Sequence, residues 1–372
     1  MTKVLMLLSN SYRPDPRVQR EALALSEAGY EVTIAAWDRT GGLPEQEESN
    51  GISIHRFGPT QHTGGAVRFL RGLRTFWKNA LIYASREEWD VIHAHDLDTL
   101  SPALKLGSKM SIPVVFDAHE IYSEMVKNDI PIILYKLLRL YEKRKMRKAD
   151  AIIAVTDAVA NLFSRIAGEN VSIVMNCRDI DTTTKREDFA GDGLIAIYIG
   201  VLEPERKLED LVERIPEKCP GVTLVIGGYG SLEEELKEKM GENATFLGPV
   251  PPDRVPALSK GANVLLAIYN PKNTNNRMSV PNKLFEAMAY GKPIIVSKGS
   301  WAGDVVEEEK CGIAIEYDGD AVFQALKELR DDPKMLETLG ANGLRAHKQK
   351  YNWRAEKRKL VELYRGLDGK AK

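Results

Sequence analysis

Cysteine is scarce: Cys177, Cys219 and Cys311 are spread along 372 residues with no CxxC spacing. That excludes a disulfide framework and a cysteine-rich zinc site, and it fits reduced thiols in a cytosolic protein. Neither sign of charge is in excess, with 52 Lys and Arg against 53 Asp and Glu. No global basic surface therefore argues for nucleic acid as a partner. Long apolar runs are missing too. After Lys3 the run Val4 to Leu8 ends at Ser9 and Asn10, too short for a secretory core, and nothing approaches the length of a membrane-spanning helix. The cytoplasm, or its membrane face, is the expected compartment. The loop after that first run also lacks Gly-x-Gly-x-x-Gly. It reads Ser9-Asn10-Ser11-Tyr12-Arg13-Pro14-Asp15-Pro16-Arg17, which disfavours a nicotinamide dinucleotide because no glycine lets the backbone approach a pyrophosphate.

What is present is the composition of a globular protein, 43% hydrophobic and 28% charged, at a length where two cores are the default. Apolar runs of strand length alternate with amphipathic helical stretches. Val4–Leu8, a helix from about Arg17 to Ala28 stopped by Gly29, and Glu31–Ala36 make a strand–helix–strand unit. Further strands are expected at 91–94, 114–116, 152–155 and 172–175. A second set is expected at 195–199, 223–226, 245–247, 264–268 and 294–296, and the tail from Ala321 to Leu367 reads as helical. Asn176 to Gly193 is polar and turn-rich and reads as the crossing between domains. The fold class is α/β: two open parallel sheets in tandem, with ligand sites expected at the carboxyl ends of the strands.

The loops after strands carry the candidates. Arg13 and Arg17, at a strand's carboxyl end and a helix start, could hold an anion on the first domain. His119, in Phe116-Asp117-Ala118-His119-Glu120, has a charge adjustable near neutrality. His119-Glu120 is no zinc-protease motif, because Ser123 stands where HExxH needs histidine. His93 and His95 alternate on a strand and share a face; a third nearby histidine is lacking, and no metal is expected. In the second half, Gly200 leads through Pro204 to Arg206 and Lys207, two adjacent cations at a helix start that suit a diphosphate. Gly228 and Gly230 permit close backbone approach to a ligand. The richest stretch runs from Asn275 to Pro293. Its loop residues Ser279 and Val280 enter a short helix at Pro281, and Asn282, Lys283 and Glu286 share one side. A carboxylate one turn inside a phosphate-binding helix start can accept bonds from ribose hydroxyls.

Segments spread over nearly the whole chain resemble the retaining glycosyltransferases of family 4. They are Asp15-Pro16-Arg17-Val18 with Arg20-Glu21-Ala22, His93-Ala94-His95-Asp96, Asp117-Ala118-His119-Glu120, Ala149-Asp150-Ala151-Ile152, Tyr198-Ile199-Gly200 with Arg206, Phe246-Leu247-Gly248, and the specific Pro281-to-Pro293 run. The resemblance implies a GT-B fold of two facing Rossmann-like doubly wound domains with a cleft between them. Residues 1–180 would form the acceptor domain and 190–350 the donor domain, with 351–372 as a C-terminal helix packing back towards the first. It further implies Arg206 at the donor diphosphate, Glu286 at the ribose, His119 near the transferred sugar, and Gly248 to Val250 beside the nucleobase. His95, with Arg13, Asp15 and Arg17, would line the acceptor side. Met278 stands where the family has its first glutamate, Val201 where another arginine is common, and Lys207 where a glycine is usual; the phosphate clamp would then be shared with Lys207, Arg277 or Lys283.

The implied activity is a metal-independent, retaining transfer of a hexosyl or N-acetylhexosaminyl group. The donor would be a UDP-, GDP- or ADP-sugar, the acceptor a glycan, a lipid-linked sugar or a small molecule, and no cofactor is implied. A nucleotide-sugar epimerase of the same fold and a catalytically inactive nucleotide-binding subunit are the alternatives. Asp96-Leu97-Asp98 spells the Asp-x-Asp that holds a divalent ion in some nucleotide-sugar transferases, but it ends a strand and opens a helix, where aspartate is a favoured N-cap. Two basic amphipathic stretches suggest rest on an anionic membrane surface. The first has Val67, Leu70, Leu73, Trp77 and Leu81 beside Arg68, Arg71, Arg74 and Lys78. The second has Ile132, Ile133, Leu134, Leu137, Leu138 and Tyr141 beside Lys136, Arg139, Lys143, Arg144, Lys145, Arg147 and Lys148.

Overall fold

The computed structural model describes residues 1–13, 15–58, 66–189 and 193–367. The chain divides into two compact units, Met1–Met175 with Glu356–Lys372, and Asn176–Ala355. In the first unit the strands are β1 (Lys3–Leu8), β2 (Glu31–Trp37), β3 (Gln46–Ser49), β4 (Ile52–Phe57), β5 (Val91–His95), β6 (Val114–Ala118), β7 (Ala151–Ala154) and β8 (Val171–Ile173). Among the described residues they form one sheet in the order β3-β4-β2-β1-β5-β6-β7-β8. Every pairing is parallel except β3 with β4. β5, β6 and β7 are buried at every position, as strands of a parallel sheet covered on both faces are; they are apolar except for His93, His95 and Asp117 near their carboxyl ends.

The second unit contains β9 (Leu194–Val201), β10 (Val222–Tyr229), β11 (Ala244–Phe246), β12 (Val264–Ala267), β13 (Ile294–Ser297) and β14 (Gly312–Ile315). Their order is β11-β10-β9-β12-β13-β14, all parallel. Strand order reverses between β1 and β5 in the first sheet and between β9 and β12 in the second. Those reversal points open a crevice at the carboxyl ends of the strands, where open sheets bind ligands.

Several local expectations change. The β3–β4 hairpin went unread although Asn50-Gly51 marks its turn, with φ of 54° and 74°, the positive values a type I′ hairpin requires. β14 lies where no strand was expected. The polar stretch read as a crossing begins where the two units divide and packs on the second. There Lys260 Nζ donates to the Thr184 carbonyl at 2.7 Å and Glu187 pairs with Arg254 at 2.7 Å, so its polar atoms are used in packing. The C-terminal helix Trp353–Leu367 belongs to the first unit from Glu356 onward. Glu356 accepts from the Met175 N–H at 2.8 Å, and Tyr364 meets the Tyr30 ring edge-on at 5.5 Å between centroids.

The two basic helices also part company. In Ala66–Ala84, Leu73 is buried, Trp77 and Leu81 are half-buried, and Trp77 Nε1 donates to the Asp98 carbonyl at 2.8 Å. That stripe packs inward, leaving Leu70 exposed; the Val67 side chain lies outside the described residues. In Ile132–Met146 the residues Ile132, Ile133, Leu134, Leu137 and Tyr141 are exposed and Leu138 is half-buried, while Tyr135 and Met146 pack inward.

Candidate functional site

In the first unit the loops at the reversal point gather charge. Asp15 caps the Pro16–Glu27 helix, its carboxylate accepting from the Val18 N–H at 3.1 Å and from Asn10 Nδ2 at 2.9 Å. Arg13 is exposed. Arg17 is not the solvent-facing anion binder expected; it is 5% exposed. Its guanidinium meets Asp117 twice, at 2.6 and 3.1 Å, lies 3.1 Å from Glu21, and donates to the Val174 carbonyl. An arginine so desolvated needs carboxylates on its fork, and Asp117 and Glu21 supply them. Burial acts against the Arg17 charge, but these two carboxylates raise its pKa. His95 is likewise fully buried, so it cannot line an acceptor surface. Burial, then His93, pushes it down to about 3, and it sits as a neutral ring 3.2 Å from both Asp117 and His119.

His119 reaches the surface, 21% exposed, beside Asp96 at 33%. Its Nε2 lies 3.0 Å from Asp117 and its Nδ1 3.4 Å from Asp96, while its backbone N–H donates to Asp96 Oδ1 at 3.2 Å. Burial opposes its positive form, but Asp96 and Asp117 prevail and raise it to about 10. The expected adjustability near neutrality is therefore absent: His119 is a fixed imidazolium, with both N–H groups pointed at carboxylates. Burial alone would raise Asp117, yet Arg17 and His119 hold it well below the usual carboxylate range. Burial lifts Asp96 to about 7. Asp96 precedes the Leu97–Met110 helix, yet its side chain makes no cap bond there. It holds φ 63° and ψ 168°, a region normally reserved for glycine that costs of order 1–3 kcal/mol. That strain aims the carboxylate at His119.

Glu21, His93, His95 and Asp117 offer ligand atoms within 4.8 Å of one another, all buried. Two imidazoles and two carboxylates are a donor set suited to a transition metal, but the Arg17 guanidinium already stands among them. His93 Nδ1 is also engaged, 2.7 Å from the Tyr364 hydroxyl. We assign no metal to this cluster.

In the second unit the reversal point lies between β9 and β12, and the side chains there are cationic. Arg206 follows β9 on a short 3-10 turn, Pro204–Arg206. Its guanidinium stacks on Tyr269, which follows β12, at 4.1 Å, and reaches Asn276 at 3.4 Å; its Nε is buried without a hydrogen-bond partner. Lys283, 8% exposed, donates to the Tyr269 hydroxyl at 3.0 Å and lies 4.4 Å from the Tyr198 ring. Burial works against its charge, but Tyr269 and Tyr198 raise its pKa. Among the described residues neither cation pairs with a carboxylate within 4.0 Å. Gly200 is part of the same cradle, because a Cβ there would come within 2.8 Å of the Lys283 ammonium.

The Asn282–Tyr290 helix begins one residue later than expected, with Pro281 as its N-cap and no side-chain cap. Its first N–H groups are therefore without a side-chain acceptor. Ser279 donates to Asn275 Oδ1 at 3.1 Å, Val280 is half-buried, and exposed Asn282 accepts from Asn176 Nδ2 at 2.8 Å. Glu286 is half-buried and paired with Arg178 at 3.1 Å. Lys207 adopts φ 60° and ψ 20°, a left-handed conformation that explains why glycine suits this position; its ammonium lies 5.0 Å from the Tyr317 ring. Gly228 and Gly230 serve packing, since a Cβ would meet the Gly200 carbonyl at 1.8 Å and the Leu202 carbonyl at 2.4 Å. Open space lies beside Gly248, whose carbonyl accepts from the Gly228 N–H at 2.8 Å, and Val250 is half-buried against Gly227. Tyr269, Tyr198, Arg178 and Asp117 were given no binding role from sequence, and Asp96 was weighed only as a metal ligand or a helix cap. Tyr269 could have been found, because it ends a strand in the second set.

Two α/β units, each built on a largely parallel sheet with charged side chains at its reversal point, have the architecture of the GT-B glycosyltransferases. Residues 14–177 match the glycosyl transferase 4-like domain and residues 193–332 the glycosyl transferases group 1 domain; the chain belongs to this glycosyltransferase family. An uncharacterized glycosyltransferase of Methanocaldococcus jannaschii is 22% identical, covering 92% of each chain. The sucrose-phosphate synthase of Thermosynechococcus elongatus superposes with a TM-score of 0.82 at 19% identity over 99% of both chains. Anabaena HepE, solved with UDP-glucose, gives 0.74 at 14% identity over 99% of this chain and all of that one.

Proposed function

We propose that this chain transfers a hexosyl or N-acetylhexosaminyl group from a UDP-, GDP- or ADP-sugar to a glycan, lipid-linked or small-molecule acceptor, with retention and without a metal ion. The observation that carries the reading is the pair of cations at Tyr269. Lys283 is buried and Arg206 is half-buried, and each lacks a carboxylate partner among the described residues. A buried unpaired charge is costly, and a donor diphosphate is the counter-charge this cradle fits. The uncapped helix start beside Lys283 adds N–H groups and a dipole of the right sign. Likeness to HepE, which was solved with UDP-glucose, supports the same donor class.

In the reaction the bond between the anomeric carbon and the diphosphate oxygen breaks. The acceptor oxygen bonds to the same face of that carbon, and its proton passes to the departing phosphate. Arg206 and Lys283 stabilise the charge that develops on the leaving group; removing one such preorganised donor typically costs about 3–4 kcal/mol of transition-state stabilisation. Glu286 keeps one oxygen on Arg178 and offers the other to a ribose hydroxyl. His119 contributes a fixed positive charge on the sugar side rather than a titrating base. Gly248 and Val250 border the base, and Met278 leaves the sugar without the carboxylate contact usual in the family. Calorimetric titration with the three nucleoside diphosphates, followed by product NMR with the tightest donor, tests this. We expect one nucleotide to bind, binding to weaken at least roughly tenfold in Arg206→Ala, and the product to keep the donor's anomeric configuration. No nucleotide binding, or an inverted product, refutes it.

A further inference from the structure

The helix Ile132–Met146 presents an apolar face to solvent. Ile132, Ile133, Leu134, Leu137, Leu140 and Tyr141 are 59, 70, 52, 59, 54 and 36% exposed, half of all the exposed large apolar side chains among the described residues. At 100° per residue, Tyr135, Glu142 and Met146 anchor the helix on one side. Ile133, Leu137, Leu140 and Tyr141 lie on the opposite side. Arg144 and Lys148 continue that outward row, while Lys136, Lys143 and Arg147 flank it. The only carboxylate within the helix, Glu142, is buried. None of Lys136, Lys143, Arg144, Lys145 and Lys148 makes an ion pair within 4.0 Å among the described residues. Where apolar crest and basic end meet, Leu137, Leu140, Tyr141, Arg144, Lys145 and Lys148 line a groove of about 330 Å³. The cations there are crowded: burial, then Lys148 and Arg144, lower the Lys145 pKa.

A soluble domain seldom leaves so many large apolar side chains together in water without an occupant. The charge around this patch selects which one. A second copy would bring only the same apolar and basic groups, with no exposed carboxylate on this face to meet the cations, and a neutral apolar partner would likewise leave them uncompensated. A sheet of anionic headgroups over acyl chains satisfies both parts, with carbon for the crest and phosphate for the groove. We propose that Ile132–Met146 is an interfacial helix that docks the first unit on an anionic phospholipid surface, its crest in the acyl boundary and a lipid phosphate held by Arg144, Lys145 and Lys148. The other basic helix, Ala66–Ala84, packs its stripe inward and is not the anchor. Docking does not depend on the proposed transfer reaction. That it would bring a lipid-borne acceptor within reach does rest on that reading.

Co-sedimentation of the full chain with phosphatidylcholine vesicles, with and without phosphatidylglycerol, decides the matter. We expect binding only with the anionic lipid, fading as salt shortens the Debye length. Leu137→Glu with Leu140→Glu, and separately Arg144→Glu with Lys148→Glu, should each weaken it by roughly tenfold or more. Both pairs change exposed positions, and unchanged circular dichroism and nucleotide affinity show the fold intact. Equal binding to neutral vesicles, or binding retained by either pair, overturns the proposal. So does a chain that ignores vesicles but sediments as a dimer dispersed by the leucine substitutions, since the face then belongs to a second copy. Vesicle binding without any nucleotide binding would sustain the docking surface while refuting the transfer reaction.

Discussion

Replacing His119 by glutamine removes the one imidazole held between Asp96 and Asp117, and the structure says how that loss should depend on pH. The folded pKa of His119 is about 10 against 6.5 for the free side chain. A group raised in this way contributes stability that is complete below pH 6.5 and disappears as pH climbs through 10. Two neighbours also titrate with raised values, Asp96 at about 7 and Glu21 at about 8, both lifted by burial. Their effect falls mostly below pH 8, so pH 8 to 10 isolates the histidine. Across that window the wild-type chain should lose roughly 2–3 kcal/mol more than the variant, at 1.36 kcal/mol per pKa unit. For a unit of this size that corresponds to a thermal midpoint falling about 5–10 °C further. Differential scanning calorimetry at pH 8, 9 and 10 measures it, and NMR of histidine-labelled protein reads the titration directly. One imidazole should stay protonated beyond pH 9. Parallel stability curves, or a His119 resonance that titrates near 6.5, would refute the arrangement of charges.

Three further predictions concern the proposed transfer reaction. Glu286→Ala should raise the nucleotide's dissociation constant at least tenfold, about 1.4 kcal/mol, by calorimetry; unchanged affinity would remove Glu286 from the ribose. Lys283→Met should weaken nucleoside diphosphate binding by a similar factor yet leave the free protein as stable or more so in thermal unfolding, because an unpaired buried charge is replaced by a side chain of like volume. A large fall in melting temperature would mean Lys283 is structural. EDTA should leave initial transfer rates within about twofold, since cations and a helix start do the work of a divalent ion. Full inhibition restored by magnesium would bring Asp96 and Asp98 back as ligands.

Arg206 and Lys283 meet at Tyr269, at the second reversal point, and sequence carries that much information locally. Arg206, Lys283 and Glu286 fall at strand ends and helix starts, and spacing alone places them. The acceptor-side assignments fared differently. Arg17 and His95 sit on correctly read elements but point inward, and their partners lie far away in sequence: Arg17 and Asp117 are 100 residues apart. Neither periodicity nor a loop's composition says which distant carboxylate will meet a guanidinium. Gly228 and Gly230 were read as openings for a ligand. Only the register of β9 against β10 shows that a carbonyl needs the space.

By itself the sequence determined the alternation of strand and helix, the parallel sheets and the cationic character of the loops after β9 and β12. Periods of two and 3.6 residues, turn glycines and helix caps are properties of neighbouring residues and act through local sterics and hydrogen bonds. The tertiary structure decided whether a charge faces solvent or a partner. Two basic amphipathic helices read alike, yet Ala66–Ala84 turns its stripe into the core and Ile132–Met146 turns its own outward. It also decided that the pKa of His119 is raised, because a pKa is set by burial and by every charge within a few ångströms, and Asp96 and Asp117 come from strand ends that only the folded sheet brings together.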